Sequence, residues 1–183
     1  MKATLLFLLL PLIASAEERK PQPRTVNDAI AVYYHDHLVA EKLQGNLMVV
    51  EADFDCDGHK DLAITNSSER GKSGAWWHIY LHRQDGRFTE IGSVGTKANR
   101  FHITATNKGL GRLAVMMRGG PGDLAITFYD ISHSALKKVR EEAVHLSEES
   151  TGKNRINEVF GEDYSEQPIT SYAFAELQAK FGK

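Results

Sequence analysis

The chain has 183 residues, 42% of them hydrophobic, a formal net charge of −2 and one cysteine. The length suits one domain with its own core. The mild acidity, without a basic stripe, excludes nucleic acid as a general partner. The lone Cys56 excludes an intrachain disulfide, so stability has to come from the core or from a metal.

The first residues carry an expectation about compartment. Lys2 gives a short positive start, and Leu5 to Ile13 form an apolar run too short to span a bilayer. Ala14-Ser15-Ala16 ends that run with small residues where a signal peptidase reads, and Glu17-Glu18-Arg19-Lys20 follows at once. This pattern predicts a cleaved signal peptide over 1–16, a mature domain over 17–183, and a periplasmic or extracellular destination. No later stretch is apolar enough to cross a membrane, so none is expected as a partner after cleavage.

Residues 17–24 are charged and Pro-rich and read as a loose leader. Thr25 and Asp28 form a capping box, and Val26, Ala29, Ile30 and Tyr33 recur at helical spacing, which predicts a helix over 26–42 ended by Gly45. A β unit with strands at 47–52, 62–65, 77–81 and 88–91 is expected over 46–93. Trp77, Ile79 and Leu81 alternate there with Trp76, His78, Tyr80 and His82, and Asp85-Gly86 marks a hairpin. Strands at 101–106, 113–117 and 124–129 follow, with Gly119-Gly120-Pro121-Gly122 as a turn.

The centre of the chain echoes itself about fifty residues on: Asp61-Leu62-Ala63-Ile64 matches Arg112-Leu113-Ala114-Val115, and Trp77, Ile79 and Leu81 match Leu124, Ile126 and Phe128. The echo makes the start of 136–146 a strand, although Lys137 to Glu142 is good helix material. It gives a second, degenerate β unit over 100–146. Residues 147–183 read as a polar segment followed by a C-terminal helix with Phe174, Leu177 and Phe181 as its apolar stripe. The expected fold is mainly β, with two four-stranded antiparallel units, blade-like or sandwiched, covered by an N-terminal and a C-terminal helix.

Asp53-Phe54-Asp55-Cys56-Asp57-Gly58-His59-Lys60-Asp61 is the most informative stretch. Calcium takes six to eight hard oxygen ligands in flexible geometry. Asp53, Asp55 and Asp57 stand at alternate positions of a coiled loop, Gly58 permits the return, the His59 carbonyl can face the ion, and Asp61 completes the cage. Four carboxylates this close repel one another unless a cation sits among them. An EF-hand is ruled out, because its twelfth position is Ile64 rather than a bidentate glutamate and a β-prone run follows. A zinc site on Cys56 and His59 is disfavoured, since zinc does not call for alternating aspartates.

The loop, the Leu62-Ala63-Ile64 strand, the Trp77–Leu81 strand and Asp85-Gly86-Arg87-Phe88 together resemble the calcium repeats of the FG-GAP and VCBS-like family. That family occurs in integrin α-chain propellers and many bacterial exported proteins. The resemblance implies calcium on Asp53, Asp55, Asp57 and Asp61, with His59 joining through its backbone. The second unit departs from the pattern: Asn107 to Arg112 carries no acidic loop. Two units also cannot close a propeller ring.

Other constellations are weaker. His35-Asp36-His37 reads as solvated helix polar groups, since residues two apart on a helix do not share a face. Trp76, His78, Tyr80 and His82 form a candidate face for a carbohydrate or protein ligand, unless a helix of the same chain covers it. Asn66-Ser67-Ser68 fits a glycan acceptor. No nucleophile motif or phosphate-cradling loop is present. The expected function is that of an exported calcium-binding β domain with a structural or interaction role, more readily than an enzyme. The alternative is an exported hydrolase or hydrolase inhibitor that uses the histidine and aromatic face.

Overall fold

The computed structural model describes residues 22–97, 99–132, 134–146, 149–161 and 166–182, with backbone alone at 149–151. The expected signal peptide over 1–16 lies outside the described residues. The end of the leader is tied down: Pro23 is buried, and its carbonyl accepts from the Phe88 amide at 2.7 Å.

Helix α1 (Val26–Tyr33) begins at the capping box, with Thr25 Oγ1 accepting from the Asp28 amide and Asp28 Oδ2 accepting from the Thr25 amide. It continues as a π-helical turn, Tyr34–Val39, instead of as an α-helix to residue 42. The wider turn holds one more residue per revolution, so side chains beyond Tyr33 leave the α-helical register.

The larger sheet holds β1 (Leu47–Ala52), β2 (Asp61–Asn66), β3 (Arg70–Gly71), β4 (Gly74–His82), β5 (Phe88–Thr96) and β10 (Thr170–Tyr172). Its order is β10-β1-β2-β4, with both β3 and β5 paired to β4, and all pairings are antiparallel. The smaller sheet is the meander of β6 (His102–Ala105), β7 (Gly111–Gly120), β8 (Asp123–Ser132) and β9 (Ala135–His145). The ambiguous stretch after residue 135 is therefore strand throughout, paired to β8 along its length.

Three apolar clusters follow from strand alternation. The first joins the two sheets: Met48, Val50, Ala63, Trp77, Ile79 and Leu81 meet Leu113, Val115 and Ile131. The second lies on the other face of the larger sheet, where Val49, Leu62, Ile64 and Tyr80 share a cluster with Ile30, Tyr33, Tyr34 and Leu38, and with Leu177 of α3 (Phe174–Phe181). The third joins Met116, Ile126, Phe128 and Val144 to Phe160 of α2 (Glu149–Phe160).

With β3 and β10 added, the first unit is a six-stranded sheet and not the expected four-stranded one, and α2 also differs from expectation. The stretch taken as polar contains α2, whose Ile156, Val159 and Phe160 stand at helical spacing and pack on the smaller sheet. Arg155 of α2 donates from two nitrogens to the Glu142 carboxylate of β9. Strand β10 is too short to show a period, and it exists because the edge of β1 offers unpaired amides and carbonyls.

Candidate functional site

The acidic loop connects β1 to β2 and is anchored by Phe54, which is fully buried and meets the Phe101 ring edge-on at 5.3 Å. The chain turns twice through the left-handed region, at Cys56 (φ 62°) and Gly58 (φ 91°). The second turn is natural for glycine, and the first is costly for cysteine. Within this coil Asp53 Oδ1 accepts from the Asp57 amide at 3.0 Å and Asp53 Oδ2 from the Gly58 amide at 2.9 Å. Asp57 Oδ1 accepts from the His59 amide at 2.8 Å.

Asp53, Asp55 and Asp57 each present a carboxylate oxygen within 4.8 Å of the other two. Asp55 is buried, and its carboxyl is pushed above the usual range, first by burial and then by the charge of Asp57. Beside the loop lies a hollow of about 360 Å³, which Asp55 and Asp57 share with His82 and Asp85 of the β4–β5 hairpin. The hard oxygen donors and the adjoining space for water ligands fit a calcium ion.

Asp61 has a different place. It is fully buried; Oδ2 accepts from the Phe54 amide and Oδ1 from the His82 amide, both at 2.8 Å. Burial outweighs these bonds and raises its carboxyl to about 7. Asp61 thus closes the base of the loop and staples it to β4, outside the group formed by the other three carboxylates. The ring of His59 sits edge-on to that of His82, with centroids 5.6 Å apart.

The second candidate face is divided. Trp76 is half exposed, whereas Tyr80 is buried among the side chains of α1 and the π-helical turn. His82 packs against Phe88 at the far end of β4. His78 faces three groups from other elements: Nδ1 lies 2.8 Å from Glu90 Oε1, Nε2 lies 3.3 Å from Glu69 Oε1, and its ring is 4.0 Å from that of His37. Burial alone would lower the affinity of His78 for a proton, but the hydrogen bonds and charges of Glu69 and Glu90 prevail and raise it to about 9. Glu90 is held well below the usual carboxylate range by His37, His78 and Tyr80, against the effect of burial.

His37, His78 and Glu90 are the second group among the described residues able to hold a metal ion. The sequence left His37 in solvent because it treated 26–42 as a regular helix. The π-helical turn brings the ring inward, to 18% side-chain exposure. The triplet His35-Asp36-His37, metal-like in composition and set aside for its helical spacing, was the local hint. The glycan reading of Asn66 is corrected: the residue is fully buried, and its Nδ2 donates to Tyr33 Oη at 2.9 Å and to Glu69 Oε2 at 2.8 Å, which closes it to modification.

No family model, curated protein or solved structure matches this chain. Among the described residues no helix is long and apolar enough to cross a membrane.

Proposed function

We propose that this chain is an exported β protein whose loop Asp53–Asp61 binds calcium, and that the ion serves a structural or interaction role. One observation carries the reading: three carboxylates, one of them buried, converge within 4.8 Å on a coil that turns twice through the left-handed region. Such a group is self-repelling without a cation and well matched to a hard one. Asp53, Asp55 and Asp57 would supply side-chain oxygens, the His59 carbonyl and water would add to them, and Asp61 would hold the loop from beneath. The resemblance to FG-GAP and VCBS-like repeats and the apolar N-terminal run support the same reading.

Binding to the folded chain alone stabilises it by mass action, about 2.7 kcal/mol at a hundredfold excess over Kd. Calcium should therefore raise Tm, and chelator should reverse the gain. Asp55→Ala with Asp57→Ala should remove the difference between calcium and chelator, as read by scanning calorimetry. Melting curves that coincide with and without millimolar calcium would sink the proposal. Export is tested separately, by N-terminal sequencing of the protein from the extracytoplasmic fraction, with Glu17 expected first.

A second reading, an exported hydrolase or hydrolase inhibitor, draws on the meeting of His78 with Glu69 and Glu90. It predicts turnover of a model ester, glycoside or peptide, or inhibition of an enzyme of that kind, lost in His78→Gln. A carbohydrate or protein ligand on Trp76 should be weakened by Trp76→Ala, since that ring is the exposed part of the face.

A further inference from the structure

We infer that His37, His78 and Glu90 form a second metal site, built for one divalent transition ion of the zinc class and separate from the acidic loop. The three side chains come from three elements, the π-helical turn, β4 and β5, and each offers a ligand atom within 4.8 Å of the other two. Zinc bound at 2.0–2.1 Å in tetrahedral geometry holds its ligand atoms about 3.3 Å apart. His37 Nε2 is 3.5 Å from Glu90 Oε2, and His78 Nδ1 is 2.8 Å from Glu90 Oε1, so small side-chain adjustments reach that spacing. Two imidazoles and one carboxylate make a borderline donor set that suits zinc and offers calcium too little oxygen.

The surroundings resemble those of a built site. Metal-bound histidines are usually fixed by a carboxylate on the other ring nitrogen. Here His78 Nε2 faces Glu69 Oε1, and Glu69 in turn accepts from Tyr33 Oη and from Asn66 Nδ2. Glu90 Oε2 accepts from Tyr80 Oη at 2.9 Å. These partners lie on α1, β2, β4 and the 3-10 turn Ser67–Glu69 that follows β2, so the ligands are oriented by the packing of helix on sheet. Beside the site the register of β5 shifts, leaving Ile91 without a partner, a bulge of the kind that re-aims side chains. A π-helical turn is often found where a helix serves a site.

Charge agrees with geometry. His78 lies between the carboxylates of Glu69 and Glu90, and a dication bound there would displace the proton shared among them and balance both negative charges. Three protein ligands leave a position open for water or for another oxygen donor. One of the three ligands opens outward: Glu90 lines a groove of about 550 Å³ together with Tyr80, His35, Asp36 and Phe88.

The test uses tag-free, chelator-stripped protein carrying both sites, titrated with zinc by calorimetry and with cobalt by visible absorption. One zinc per chain is expected, with Kd below about 10 µM, unaffected by millimolar calcium. Cobalt should show the d–d bands of mixed nitrogen and oxygen ligation. His37→Gln and Glu90→Gln should each weaken zinc at least about tenfold, and Glu69→Gln about 10–100-fold through the lost support of His78. Asp55→Asn with Asp57→Asn should leave zinc binding unchanged. Circular dichroism identifies variants that still fold, and the wild-type titrations decide independently of them. The inference is overturned if zinc binds no tighter than about 10 µM, if binding survives His37→Gln, or if it is lost in Cys56→Ser or His59→Ala.

Discussion

Two loops occupy the same station in the two sheets, and they close in opposite ways. Thr106–Leu110, between β6 and β7, is short and largely backbone-closed: the Thr106 amide donates to the Leu110 carbonyl at 2.8 Å and the Gly109 amide to the Thr106 carbonyl at 3.0 Å. One hydroxyl, Thr106 Oγ1, accepts from Leu110 at 3.1 Å. The acidic loop between β1 and β2 is longer, and its turn amides are taken by the carboxylates of Asp53, Asp57 and Asp61. A short turn satisfies its own amides. A longer one recruits side-chain acceptors, and when these are all carboxylates the loop gathers charge that favours a cation.

The two loops are also neighbours. Gly111, the first residue of β7, lies against the acidic loop, and a side-chain carbon there would overlap the Phe54 carbonyl and Asp55 Cα. The contrast extends to the strands. Asp61 is buried and bonded to two amides, while its counterpart in the echo, Arg112, is exposed and pairs with Asp130 at 2.7 Å.

The largest expected effect comes from breaking the buried member of that pair. Asp61→Ala strands the amides of Phe54 and His82 and should cost about 3 kcal/mol in urea unfolding; a loss below about 1 kcal/mol would show that water replaces the carboxylate. Gly111→Ala should cost about 2 kcal/mol by overpacking and weaken calcium binding with it, since it displaces Asp55. Calcium affinity equal to that of the unaltered chain would mean that the two loops are independent. Thr106→Val removes the hydroxyl that accepts from the Leu110 and Lys108 amides of the plain loop, about 1 kcal/mol, with no change in calcium response. Arg112→Ala touches only an exposed ion pair and should shift stability by less than about 0.5 kcal/mol.

Much of this molecule was legible because it is local. The capping box at Thr25, the alternation through Trp77–Leu81, the Asp85-Gly86 turn (Gly86 φ 76°) and the alternating aspartates all lie within a few residues of one another. Their chemistry depends on spacing, which a chain displays directly. The strands of 101–129 were visible in their own apolar runs and turn residues, and the echo served only to favour a strand after residue 135.

What the chain does not display is which faces meet. Asp61 belongs to the acidic motif by spacing, yet the proximity of His82 on β4 makes it a staple. His37, His78 and Glu90 are joined only after β4 and β5 pair, Tyr33 docks on the larger sheet, and the helix widens at Tyr34. Local residues fixed the elements and the acidic coil, because hydrogen bonds and side-chain periods act over a few positions. The histidine cluster was decided by packing, because burying one stripe of a helix against one face of a sheet brings together residues that no sequence spacing relates.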